Sequence, residues 1–256
     1  MKPPPQLTMA DIRIGTSGFH YKHWIGRYYP ADIAHGKMLE HYVRDFDTVE
    51  LNNTFYQLPN ESSFDAWRAS TPRDFLFAVK GSRFITHMIK LKDAQRGLRN
   101  FLPRAERLRS KLGPILWQLP PRWKVNVERL EEFLSLLPRK HRYAFELRDK
   151  TWMTDEVLAV LEKYNAAFCI YELAGYHSPI ELTADWTYIR LHGPTQLKYQ
   201  GSYSDAHLAT WAERIKTWSR KLKAIYVYFD NDDRAFAVEN ALTLKRMLTK
   251  RAKRAA

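Results

Sequence analysis

Eight short apolar segments recur along the chain at regular intervals, and this alternation constrains the fold more than any other feature. They are "IRIGTSG" (12–18), "TVELNN" (48–53), "LFAVKG" (76–81), "PILWQLP" (114–120), "YAFELRD" (143–149), "AAFCIYE" (166–172), "WTYIRLHG" (186–193) and "AIYVYFDN" (224–231). Each is rich in β-branched or aromatic residues and ends in Gly, Pro, Asn, Asp or a charge, which predicts strands. Helical patterns fill the intervals at 36–46, 61–70, 90–112, 126–137, 154–165, 204–222 and 235–252. In the sixth of these, Leu208, Trp211, Ile215, Trp218 and Leu222 recur at three- and four-residue spacing, one face of a helix. Ser204 and Thr154 stand where N-caps belong. The helical period is weak only between the sixth and seventh strands.

Strands alternating with helices imply parallel pairing through right-handed crossovers. Eight units in 256 residues predict an α/β protein, a closed parallel (β/α)8 TIM barrel in a single domain. The alternative is an open doubly wound sheet, but "GTSGFH" after the first strand lacks the G-x-G-x-x-G spacing of its dinucleotide-binding form. The expected organisation is a flexible Pro-rich leader (1–10), the barrel (11–249) and a basic tail (250–256). No stretch is apolar enough for a membrane span, and "MKPPPQLTMA" has no signal-peptide centre. Cys169 is the one cysteine, which excludes an internal disulfide and points, with the missing signal, to the cytoplasm. In its apolar run it reads as a small buried hydrophobe.

Strand side chains alternate between two faces. With Glu50 inward, Thr48 and Asn52 are inward too, and Val49 and Leu51 face the helices. The same parity puts Ala78 and Lys80, Leu116 and Gln118, and Ala144, Glu146 and Arg148 inside. It also puts Tyr188, Arg190 and His192, and Tyr226, Tyr228 and Asp230 there. The polar members cluster at the C-terminal strand ends, where barrel active sites sit.

The motifs "IGTSGFHYKHWIGRYYP", "VELNNTFYQLP", "FAVKGSRFITH", "GPILWQLPP", "AFELRDKTW", "YIRLHGP", "YQGSYSDAHLATWAERI" and "VYFDNDDRAFAVENALTLKRML" together resemble the YecE-like family, from about Ile12 to Leu248. The resemblance implies a TIM barrel and no established reaction. It also implies Phe-Asn-Asn where this chain has Phe229-Asp230-Asn231, so Asp230 adds a negative charge.

The residues themselves predict acid–base chemistry on a small anionic, sugar- or phosphate-bearing substrate, by a metal-independent hydrolase, lyase or isomerase. Glu50 and Glu146 are the expected acid/base pair and His192 the proton shuttle. Lys80, Arg148 and Arg190 are expected to clamp the anion, with Asn52, Tyr56, Gln118, Asp230 and Asn231 lining the substrate. Glu50 is expected to be held by a cation or amide network at the mouth and to act in function, with Lys80 of the neighbouring strand on the same inward face. Aromatic loop residues such as Phe19, Tyr21, Trp24, Phe55, Tyr199 and Tyr203 offer stacking surfaces. Gly193 leaves room for close approach beside His192.

A divalent-metal isomerase or phosphodiesterase is the first rival, with Glu50, Glu146, His192 and Asp230 as ligands. Three cations at the same mouth argue against it, so no metal or cofactor is expected. The second rival is a nucleic-acid-binding protein. The formal charge is +13, with basic residues dense in 90–112, 213–223 and 245–256. Arg104, Arg107 and Arg109 would then carry the contact. Nothing in the sequence fixes the oligomeric state.

Overall fold

The computed structural model describes residues 9–249. Most of the expected leader and all of the expected basic tail lie outside these residues. Eight parallel strands form the ring in the order β1 (Asp11–Thr16), β9 (Ala224–Phe229), β8 (Trp186–Leu191), β6 (Ala167–Leu173), β5 (Tyr143–Glu146), β4 (Leu112–Gln118), β3 (Leu76–Lys80) and β2 (Thr48–Leu51). A two-residue strand, β7 (Tyr176–His177), turns back antiparallel on β6 where no helix period was found. All eight expected strands are present, most of them one to three residues shorter than their apolar runs.

The helices follow the sequence pattern. They are α1 (Met38–Tyr42), α3 (Glu61–Ala69), α4 (Gln95–Ala105), α5 (Val127–Ser135), α6 (Asp155–Lys163), α7 (Asp205–Trp218) and α8 (Phe236–Thr249). The caps are as expected: Ser204 accepts from His207 N, and Thr154 from Val157 N. The single expected helix over 90–112 is instead α4 followed by a 3-10 turn, Glu106–Lys111, with a kink at Arg109. The short α2 (Asn53–Tyr56) directly after β2 and a π turn at Phe84–Met88 carry no sequence signal.

Parity sorts the core into two separate clusters. Val49, Leu51, Phe77, Val79, Ile115, Trp117, Phe145, Leu147, Ile189, Leu191, Ile225, Val227 and Phe229 pack outward against the helices. Inside the ring, Ala78, Leu116, Ala144, Ala167, Cys169 and Ala224 leave room for Trp186, Tyr188, Tyr226 and Tyr228. Small residues facing large ones let the layers fill without voids. Arg142 donates to Tyr226 Oη (2.6 Å) at the N-terminal end, and Tyr228 Oη meets Thr48 Oγ1 (2.7 Å) above it.

The ring closes between β1 and β2 by an isolated bridge, Ser17 to Glu50. Below it, Tyr42 of α1 inserts its hydroxyl into the seam. Thr16 N donates to Tyr42 Oη (3.0 Å), which lies 3.1 Å from Thr48 O and can donate to it. Gly15 makes this possible, because a Cβ there would lie 2.3 Å from the Thr48 carbonyl oxygen.

A candidate active site at the barrel mouth

The polar side chains at the C-terminal strand ends converge on Arg190, which is fully buried. Its Nε donates to Glu50 Oε2 (3.0 Å) and its Nη2 to Glu50 Oε1 (2.7 Å). Nη1 reaches Glu146 Oε2 (2.7 Å), and Nη2 also reaches Asp230 Oδ2 (2.9 Å) and Ser17 Oγ (3.1 Å). One planar fork thus bridges strands β2, β5, β8 and the end of β9, a geometry that lysine could not supply. Ser17 Oγ donates to Glu50 Oε1, and Tyr188 Oη donates to Glu50 Oε2 (2.6 Å). Arg148 Nε donates to the remaining oxygen of Glu146 and stacks over Tyr171. His192 Nδ1 lies 2.9 Å from Asp230 Oδ2.

The electrostatics follow from this. Burial alone would raise the Glu146 carboxyl, but Arg148, Arg190 and His192 outweigh it and hold the group well below the usual carboxylate range. Asp230 behaves alike: burial opposes ionisation, and Arg190, His192 and Lys80 win. Arg190 is pushed up by Glu50, Glu146 and Asp230 against the cost of its burial. Glu50, Glu146, Arg190 and His192 are all inaccessible to solvent. They form a sealed ionic floor.

Above the floor opens a cleft of about 1190 Å³. Asn52, Tyr56, Lys80, Tyr199, Asp230 and Asp232 line it, with Phe19, His20, Tyr21 and Trp67 among the aromatic walls. Lys80 differs from the other cations of the mouth. It is 6% exposed, and among the described residues its Nζ has no hydrogen bond or ion pair. Its one neighbour of note is the Phe55 ring of α2, 4.4 Å from Nζ. Burial first, and the nearby Arg190 second, bring its pKa down to about 8, against the pull of Glu146, Glu50 and Asp230.

Glu50 is held by a cation, and that cation is not Lys80 of the neighbouring strand. Arg190, with two hydrogen bonds, is the partner of Glu50. The expected room beside Gly193 is also filled by the protein itself, since a Cβ there would lie 2.3 Å from Gln200 O. Asn231 is not part of the cluster. Its amide donates to Gly201 O (2.8 Å) and Asn240 Oδ1 (2.9 Å), tying the loop after β8 to α8. Gln118 is buried at the end of β4, beside Glu146 in register but outside the cleft wall. Asn52 donates to Ser17 Oγ (2.6 Å), and its Oδ1 is buried without a partner among the described residues. Tyr56 is 78% exposed at the rim. Among the expected stacking residues, Trp24 and Tyr203 are buried and hydrogen-bonded to Asp232 O and Gly193 N. Tyr199 sits edge-on to His192, with ring centroids 5.6 Å apart.

Two residues of the mouth carry no sequence signal. Ser17 looks like an ordinary strand-end serine. Asp232 lies beyond the last strand, where alternation no longer assigns a face. Burial, with Asp230 and Asp233 nearby, raises its carboxyl to about 6, although His23 pulls the other way. A further buried acid, Glu172 of β6, lies apart from the cleft lining and receives His207 Nε2 (2.9 Å) and Trp211 Nε1 (3.0 Å) from α7. Of the surface arginines, Arg107 pairs with Asp65 and Glu61.

This is a TIM barrel with an ionic floor beneath an open, aromatic-walled mouth. The profile of the family described as "Protein of unknown function DUF72" matches residues 13–256, and the chain belongs to that family. A DUF72 family protein from Thermotoga maritima is 31% identical and superimposes with a TM-score of 0.84 over 93% of this chain and 99% of its own. YecE of Escherichia coli K12 is 34% identical over 111 residues, 43% of this chain and 41% of YecE, so the match spans less than half of that relative. YunF of Bacillus subtilis is 24% identical over 86% of this chain and 89% of YunF. A D-psicose 3-epimerase crystallised with D-fructose shares the fold at 10% identity (TM-score 0.56, 92% of this chain and 99% of that one). Among the described residues no helix is long and apolar enough to cross a membrane.

Proposed function

We propose that this protein is an enzyme that moves protons on a small anionic sugar or sugar phosphate held in the cleft. The observation that carries the reading is that one cleft is lined by both Lys80, an amine with no ion pair among the described residues and brought down to about 8, and Asp232, brought up to about 6. Groups tuned toward neutrality from opposite sides are what general acid–base catalysis needs. Asp232 takes the proton, and Lys80 meets the negative charge that develops on substrate oxygen. Asn52 lines the cleft, and Tyr56 and Tyr199 offer ring faces.

Glu50, Glu146 and Arg190 act beneath the substrate as a fixed-charge platform. His192 packs beside Asp230, with Nδ1 2.9 Å from Oδ2, and Arg148 holds Glu146 ionised. These roles replace direct substrate contact because the four floor residues are sealed. The lone buried thiol, Cys169, fits a reducing compartment, and we assign the protein to the cytoplasm.

The test is exchange of carbon-bound protons in deuterium oxide, followed by NMR over a panel of sugars and sugar phosphates. Exchange with at least one compound, lost in Asp232→Asn and Lys80→Met, is expected. Exchange that survives both substitutions, or none across the panel, sinks the reading.

A second reading is nucleic-acid binding along the basic face of α4, favoured by the charge of +13 and by Arg96 and Arg99 beside an open groove. A salt-dependent gel shift that fails in Arg96→Glu/Arg99→Glu and survives Lys80→Met would favour it.

A further inference from the structure

Lys80 is hard to account for as a structural residue. Buried cations in folded proteins are nearly always paired, because an unpaired one loses its hydration with nothing in return. Four other charged groups face it: Glu50 of β2, Glu146 of β5, Arg190 of β8 and Asp230 after β9. None approaches its Nζ within ion-pairing distance, because Arg190 already holds all three acids. The arginine fork thus removes from Lys80 the partners that a lysine at this position would otherwise take. The Phe55 ring covers one side of the amine, and the cleft is open on another.

We propose that Lys80 is a nucleophile that forms an imine with the carbonyl carbon of an aldehyde or ketone bound in the cleft. This deepens the acid–base reading above, on which it rests, and narrows the substrate to a carbonyl compound such as an open-chain sugar or sugar phosphate.

The chemistry is self-contained. The lone pair of the Lys80 amine attacks the carbonyl carbon. The oxygen takes up a proton, and the carbinolamine loses water to give the protonated imine. That cation draws electrons from the neighbouring C–H bond. Its proton passes to the Asp232 carboxylate, the C–H pair becomes a C=C bond, and the C=N π pair moves to nitrogen, giving an enamine. Return of the proton to the same carbon, from either face, restores the iminium. One water then hydrolyses it and frees the amine. No oxidant, reductant or metal enters, and the water lost is the water regained.

Three features favour this step at Lys80 over any surface lysine. The amine has no hydrogen bond to break before it attacks. A pKa near 8 rather than 10.5 leaves roughly 10²-fold more free amine at neutral pH. The Glu50–Arg190–Glu146 floor beneath it is fixed, so its charges need not reorganise as the iminium forms.

The test is reductive trapping. Full-length protein is incubated with dihydroxyacetone, and in parallel with dihydroxyacetone phosphate, in the presence of cyanoborohydride. Intact mass and peptide mapping follow. The proposal expects about one adduct per chain, on Lys80 in preference to other lysines by about tenfold or more, given the difference in free amine. The adduct is absent in Lys80→Arg, which keeps a buried cation and controls for folding, and absent in Lys80→Met. Labelling confined to surface lysines, or equal in wild type and Lys80→Arg, overturns it.

Deuterium exchange of the same two ketones separates this proposal from the reading it rests on. Exchange that needs Asp232 and persists in Lys80→Arg, with no adduct on Lys80, overturns the imine and leaves the acid–base reading standing. An adduct on Lys80 without exchange supports the imine and removes the assigned role of Asp232.

Discussion

Two layers of charge lie at the mouth of this barrel, one above the other, and they are organised in opposite ways. In the floor, Glu50, Glu146, Arg190 and His192 are fully buried, and Arg190 alone holds three carboxylates. At the rim, Lys80 has no ionic partner among the described residues, and Asp232 has only His23 at 3.5 Å. Both layers lie at the C-terminal end of one ring. The difference teaches that closeness in the sequence pattern does not decide which charges neutralise each other. Side-chain reach and fork geometry do. A floor that satisfies itself leaves the rim groups in reserve.

The substitution expected to have the largest effect on stability is Arg190→Met. It leaves three buried carboxylates without their shared cation and should cost about 3–5 kcal/mol, read by urea denaturation. Lys80→Met removes an unpaired buried charge and should leave stability unchanged or higher by about 1 kcal/mol. If the two variants change places, the contrast between floor and rim is wrong. In activity the order reverses. Lys80→Met should lower substrate proton exchange by about 10²-fold or more while the midpoint in urea holds.

Tyr42→Phe, at the seam away from both layers, should cost about 1–2 kcal/mol by leaving Thr16 N and Thr48 O short of a partner. It should not affect exchange by a bound ketone beyond that loss of stability.

Acid and alkali should separate the layers. The folded pKa of Glu146 lies well below 4.5, so its stabilising contribution is present above that value and drains away as pH falls below it. Lys80 contributes a penalty where Glu146 contributes stability, and both make stability rise with pH. Its folded pKa of about 8 lies beneath the ordinary 10.5, so its charged form penalises folding below pH 8, and the penalty fades between 8 and 10.5. Wild type should therefore gain on Lys80→Met across that interval, and chemical denaturation at a series of pH values checks it. The smallest expected change is in Tyr56→Ala. At 78% exposure it should alter stability by less than about 0.5 kcal/mol, and any effect should appear in ligand affinity.

The alternation of strands and helices was legible in the sequence, and so was the parity that puts Glu50, Lys80, Glu146, Arg190 and Asp230 on one face. Both depend on period, which is a local property. Who pairs with whom was not legible. Lys80 stands on the strand next to Glu50, but a lysine with no fork cannot compete with an arginine that grips both carboxylate oxygens. Asp232 escaped because alternation stops with the strand, and Ser17 because a hydroxyl carries no charge to betray its position. Asn231 belongs to the Phe-Asn-Asn position that the family resemblance implies, yet one step along the chain from Asp230 turns it toward α8. The split of 90–112 at Arg109 is likewise unsignalled, because basic residues suit helices and turns equally well.

The seam between β1 and β2 bears on how the molecule assembles. β1 is laddered over its whole length only to β9, which follows almost the entire described chain later, and it meets β2 through one bridge and the hydroxyl of Tyr42. During synthesis the first strand must therefore wait, with little to hold it, until the last strand has left the ribosome. The other seven strands can dock in order as they emerge. Ring closure is then a terminal event, and the contacts of Ser17 with Glu50 and Arg190 form only with it.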